Sequence, residues 1–138
     1  MTIQLTVSQL AGRVPVTVLR PRGELDASNY QDLIAEAHKV YATGARNIIL
    51  DLSEVPYMSS SGLVALQSIA AMLRGESPPN PEEGWSAFRA IHRDRDAGSQ
   101  AHFKLVSPQP RVDEVLETVG FKRFLEVASD LETALASF

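Results

Sequence analysis

Ile48-Ile49-Leu50-Asp51, and after it Met58-Ser59-Ser60-Ser61-Gly62-Leu63, decide how this chain of 138 residues folds. An unbroken apolar run closed by an acid predicts a short strand buried on both faces, the kind that sits centrally in a parallel sheet. Beyond Pro56 the period changes. Leu63, Leu66, Ile69, Ala70 and Leu73 share one helical face, which predicts a helix from Ser60 to Arg74 with Ser59 or Ser60 as its cap and Gly75 as its stop.

Upstream, Ile3, Leu5 and Val7 alternate, as do Val14, Val16 and Val18, and the Gly12 region between them reads as the turn of a β-hairpin. From Ser28 the spacing of Tyr30, Leu33, Ile34, Ala37 and Tyr41 is helical, Ser28 and Gln31 are spaced as a capping box, and Gly44 ends the helix. Downstream, Pro78, Pro79 and Pro81 precede the mixed charges Arg93, Asp94, Arg95 and Asp96, so Ser77 to Gln100 reads as an inserted, mobile loop. Within it Trp85, Phe88 and Ile91 are spaced for a short amphipathic helix that tethers the loop to the domain or binds a partner. Order returns with a strand from Phe103 to Val106. Ser107-Pro108 then opens a helix that buries Val112, Val115, Leu116 and Val119 and stops at Gly120. A last strand is expected from Phe124 to Val127, and Ser129 with Glu132 caps a terminal helix carrying Leu131, Leu135 and Phe138. The sum is a single α/β domain over 1–138: a mixed sheet with an N-terminal hairpin and about four helices packed against it.

Composition narrows the chemistry. With 44% hydrophobic and 22% charged residues the chain reads as a soluble globule. It has no cysteine, so disulfides, thiol nucleophiles and thiolate zinc sites are excluded. His38, His92 and His102 are too scattered for a metal motif, and neither a metal nor a cofactor is expected. A net charge of −4 speaks against direct binding of nucleic acid or anionic membrane, which need a cationic stripe. The alternating start MTIQLTVSQL is no secretory signal, so a cytoplasmic protein is expected.

Ligands and partners of α/β sheets gather at the carboxyl ends of parallel strands, beside the amides of the next helix. Two segments qualify: Gly23-Glu24-Leu25-Asp26 and Tyr57-Met58-Ser59-Ser60-Ser61-Gly62. One helix cap explains one serine, not three followed by a glycine that lets another backbone approach. A phosphate on Ser60 would lie in the favourable field of the helix dipole, which is the profile of a switch.

These pieces, with Ile48-Ile49-Leu50-Asp51-Leu52-Ser53, resemble the STAS domain, the fold shared by anti-sigma-factor antagonists and the cytoplasmic tails of sulfate transporters. The resemblance runs from about Val14 to Phe138 with the insertion set aside. It implies a non-enzymatic module of signal transduction and transcription regulation that works by partner switching. In the family an Asp-Ser-Ser-Gly motif presents its first serine to a partner that is both serine kinase and anti-sigma factor. That serine matches Ser60, and the family's aspartate is Ser59 here, a competing acceptor. The implied docking surface comprises Asp26, Met58, Ser59, Ser60, Ser61 and Gly62, with Met58 partly exposed, on a monomer or weak dimer. The alternative is a ligand-sensing STAS module that binds a small anion or nucleotide at the same helix start without a phosphoswitch.

Enzymatic readings fit less well. Met58-x-Ser60-x-Gly62 approaches a nucleophile elbow, but a bulky residue replaces its first glycine and no histidine is placed as the base. Asp51 ends a buried strand like a receiver phosphoacceptor, yet no lysine is suitably placed, and bonding to nearby loop amides is its expected role. A P-loop is absent from the sequence.

Overall fold

The computed structural model describes residues 3–74, 102–123 and 125–138. Gly75 and the expected insertion, with Trp85, Phe88 and Ile91, lie outside these residues. Five strands form one sheet in chain order: β1 (Gln4–Ala11), β2 (Pro15–Arg22), β3 (Ile48–Asp51), β4 (Phe103–Val106) and β5 (Glu126–Ala128). β1 pairs antiparallel with β2, and every later pairing is parallel. β3 is the middle strand and all four of its residues are buried, as its sequence predicts. The hairpin forms too, but its two strands differ: β2 is buried on both faces along Val16–Leu19, whereas β1, at the sheet edge, is largely exposed.

The described helices are α1 (Tyr30–Ala42), α2 (Ser60–Leu73), α3 (Pro110–Thr118) and α4 (Leu131–Ala136). Alternation along the strands divides the core. Leu19, Ile48, Leu50, Phe103 and Leu105 pack with Leu33, Leu66 and Leu116 of α1, α2 and α3. Val16, Val18, Ile49 and Val106 face Ala134 of α4 and, around it, Leu131, Leu135 and Phe138. α1 ends as predicted: Gly44 takes φ +112°, its N–H donates to the Tyr41 carbonyl, and the Ala45 N–H reaches back to Val40. This paired closure needs a left-handed residue just past the helix, where glycine has no Cβ to clash.

Several boundaries move. α1 starts at Tyr30, two residues beyond Ser28, for reasons given below. α2 is buried from Gly62 to Leu73 all round, not along one face. α3 begins at Pro110 because Ser107 sits at φ +53°, outside right-handed helical geometry, and Pro110 takes the first-turn position where its missing N–H is harmless. A single 3₁₀ turn, Phe121–Arg123, buries Phe121 before β5, which starts at Glu126. Asp130, not Ser129, caps α4: its carboxylate accepts the Thr133 N–H at 2.7 Å, a stronger bond than a hydroxyl offers.

Candidate functional site

The two polar segments singled out in the sequence meet at the carboxyl ends of β2 and β3. Past the strands the chains stay laced. The Gly23 N–H donates to the Glu54 carbonyl at 3.0 Å, Leu25 N–H to Tyr57 at 3.0 Å, and Ser59 N–H back to Leu25 at 2.9 Å. Leu25 and Met58 form a parallel bridge, so parallel pairing extends beyond the sheet and fixes the start of α2 against the loop before α1. Leu25 and Met58 point inward and are fully buried.

Two expectations change at this point. Met58 is 2% exposed, not partly exposed, because the bridge turns its side chain into the core. Gly62 is buried as well: a Cβ there would lie 2.5 Å from Met58 Cγ and 3.2 Å from Leu25 atoms. The glycine makes room for the chain's own Leu25 and Met58 side chains, which accounts for it without an approaching partner. Of the residues expected on the docking surface, Ser60 is exposed, and Asp26, Ser59 and Ser61 are half-buried.

Before α1 the polar side chains are committed to one another. Asp26 Oδ1 accepts the Ser28 N–H at 2.9 Å and the Ser28 hydroxyl at 2.6 Å. The Ser28 hydroxyl, then its N–H, holds the Asp26 carboxyl below the usual carboxylate range. Asn29, buried, donates from Nδ2 to the Glu24 carbonyl at 2.8 Å and accepts the Asp26 N–H on Oδ1 at 3.0 Å. The Ser28–Gln31 capping box therefore does not form. Ser28 closes a turn on Asp26, Asn29 takes the cap position, and Gln31 instead donates to the Tyr30 hydroxyl. Asn29 was missed in the sequence, although an asparagine directly before an apolar helical period is itself a cap signal.

At α2, as at α1, the side chain in the cap position bonds none of the helix's own amides. Ser59 holds the cap position with extended backbone, and its carbonyl accepts the Leu63 N–H, but its side chain makes no capping bond. Its Oγ is buried without a hydrogen-bond partner. Ser60 therefore presents the more accessible hydroxyl, on the first turn of a helix whose leading amides carry partial positive charge. Around this rim Asp51 accepts Arg20 Nε at 3.0 Å, Arg20 Nη2 at 2.9 Å and the Ser53 N–H at 2.9 Å, so it anchors the turn as expected and ties it to β2. Gln109, before α3, donates to the Ser53 carbonyl at 2.9 Å. Tyr57, part of the second polar segment but left out of the expected docking surface, is 41% exposed, with the Arg111 guanidinium 5.9 Å from its ring centre.

An antiparallel first strand on four parallel strands, with a polar rim where β2 and β3 run into α1 and α2, defines a STAS-type module. The sequence profile of the STAS domain matches residues 8–76, from β1 through α2, and the chain belongs to the STAS domain family. It is 26% identical over 136 residues to BtrV of Bordetella bronchiseptica, assigned as a candidate anti-sigma factor antagonist, covering 99% of this chain and 95% of that one. A candidate anti-sigma factor antagonist of Thermotoga maritima shares the fold with a TM-score of 0.69 at 20% identity, over 94% of this chain and 90% of that one. The anti-sigma factor antagonist SpoIIAA in its unphosphorylated form matches with a TM-score of 0.52 at 18% identity, over 94% and 92%. The phosphorylated form of SpoIIAA, a Bacillus cell fate determinant, matches at 0.50 and 20% identity, over 94% and 96%. Among the described residues no helix is long and apolar enough to cross a membrane.

Proposed function

We propose that this chain is an anti-sigma factor antagonist: a cytoplasmic, non-enzymatic module that docks an anti-sigma factor through the rim around Asp26 and Ser59–Ser61 and is released when that partner, acting as a serine kinase, phosphorylates Ser60. The observation that carries the reading is the contrast between neighbouring hydroxyls. Ser60 is exposed at the start of α2, whereas Ser59 Oγ is buried, which favours Ser60 over Ser59 as acceptor. The relatives named as anti-sigma factor antagonists, and SpoIIAA known in both phosphorylation states, support it. Met58 and Gly62 act on docking only indirectly, by seating α2 against Leu25. A phosphate on Ser60 adds about −1.5 to −2 charges at a helix N-terminus, where the fold tolerates them, while a partner packed there meets repulsion and a desolvation cost.

The test is mass spectrometry of the protein recovered from its own cells, joined to binding of purified variants to the anti-sigma-type serine kinases of the same organism. Phosphate on Ser60, binding retained by Ser60→Ala and weakened by Ser60→Asp are expected. Label that persists in Ser60→Ala and disappears only when Ser59 is also replaced moves the acceptor by one residue. Variants that change neither label nor binding refute the switch and favour the anion- or nucleotide-sensing alternative.

A further inference from the structure

The two edges of the sheet are unequal. β5 offers three residues, too few to template another strand, whereas β1 offers eight, Gln4–Ala11, paired on one side only. Its register with β2 is unbroken over all eight positions, so no bulge blunts it, and the segment QLTVSQLA contains no proline and no charge. Among the described residues, proline, charge and bulge, three devices that ordinarily protect an edge, are missing from β1.

Hydrogen-bond directions follow from the neighbouring strand. The N–H groups of Thr17 and Gly23 donate to Asn47 and Glu54, so the odd-numbered residues of β2 turn toward β3, and its even-numbered residues turn toward β1. Those even residues lie opposite Gln4, Thr6, Ser8 and Leu10. In antiparallel pairing each residue turns both its N–H and its C=O to the same side. Leu5, Val7 and Gln9 therefore aim their backbone groups outward from the sheet. At the centre of this triad stands Val7, 38% exposed and, with Tyr57, one of two exposed large hydrophobic residues among those described.

We propose that a second copy of this chain adds to the free edge of β1, antiparallel about a two-fold axis at Val7, and joins the two five-stranded sheets into one. A two-fold perpendicular to the sheet keeps like faces together and sets Val7 against Val7 of the partner subunit, with Leu5 against Gln9. All N–H and C=O groups of the outward triad are satisfied in that register, and Val7 covers its own copy. A two-fold sets a strand against itself, so a charge within it meets a like charge across the axis; the neutrality of QLTVSQLA removes that repulsion in a chain of net charge −4. One strand pair is a small interface, so the dimer is weak and concentration-dependent. The pairing stands on strand geometry and is independent of the role of Ser60.

Sedimentation equilibrium of the whole chain tests it. The expected result is a mass that rises toward twice the monomer's between about 10 µM and about 1 mM, the range suited to so small an interface. Val7→Lys places like charges across the axis, and Val7→Pro removes an N–H that serves no bond within the subunit; both should abolish the rise while keeping the native melting temperature. Because the chain has no cysteine, Val7→Cys gives a clean second readout: it should form an inter-subunit disulfide faster than Ser8→Cys, whose copies are offset along the strands. A native chain that stays monomeric throughout, a Val7→Lys variant that associates like the native chain, or equal cross-linking at both positions would overturn the proposal.

Discussion

α1 and α2 both start at the carboxyl ends of interior strands of the same sheet, yet the polar residues at their starts are used differently. Before α1, Asp26, Ser28 and Asn29 bond to one another and to nearby backbone. At α2, the serine in the cap position makes no capping bond, its hydroxyl is buried without a partner, and Ser60 faces solvent. Neither cap side chain bonds its own helix's amides. Before α1 the polar side chains brace the loop while the Tyr30 and Asp32 N–H groups find the Asp26 and Asn29 carbonyls, whereas at α2 the exposed hydroxyl of Ser60 is committed to no such brace. The second start is held by backbone pairing, Leu25 N–H to Tyr57 and Ser59 N–H to Leu25, and by the packing of Leu25 and Met58 into the space left by Gly62.

The contrast can be broken most forcefully at Met58. Met58→Ala removes a buried side chain that joins the loops and should destabilise the domain by about 2–5 kcal/mol in denaturant melts. A loss near zero would mean that α2 is seated by other contacts. Next in size comes Asn29→Ala, which strands the Asp26 N–H and the Glu24 carbonyl and should cost about 1–3 kcal/mol by the same measurement. Replacing Ser59 or Ser60 by alanine should change stability by no more than about 0.5 kcal/mol, since neither side chain caps α2. Thermal melts showing a cost for Ser60→Ala as large as that for Asn29→Ala would erase the difference between the two helix starts.

The smallest effect is expected from pH. Folding lowers the Asp26 pKa, so its contribution to stability is present above the unfolded carboxyl value of about 4 and is lost as pH falls through the lower folded value. The stability gap between the native chain and Asp26→Asn should therefore narrow on acidification below about pH 4, where both forms approach a neutral side chain. A gap that stays constant down to about pH 2 would show that the Ser28 bonds do not act through the charge.

Much of this was legible residue by residue. The run Ile48-Ile49-Leu50 announced the central parallel strand, since only a strand covered on both faces has no polar alternation. Gly44 and Gly120 marked helix ends because each adopts a positive φ there. The caps were less legible: Ser28, Asp26 and Asn29 all suit a helix start, and nothing local says which of them closes a turn instead. For α4 the adjacent Ser129 and Asp130 posed the same choice, resolved by a carboxylate reaching the third amide.

Sequence alone determined the fold class, the two polar segments and Ser60 as the residue to watch, because periodicity and turn chemistry are local properties of the chain. Tertiary structure decided which groups near Ser60 face water. The Leu25–Met58 bridge joins residues 33 positions apart, turns Met58 into the core and makes Gly62 a packing residue. Burial of that kind depends on which distant segment lies opposite, and no local pattern carries that information.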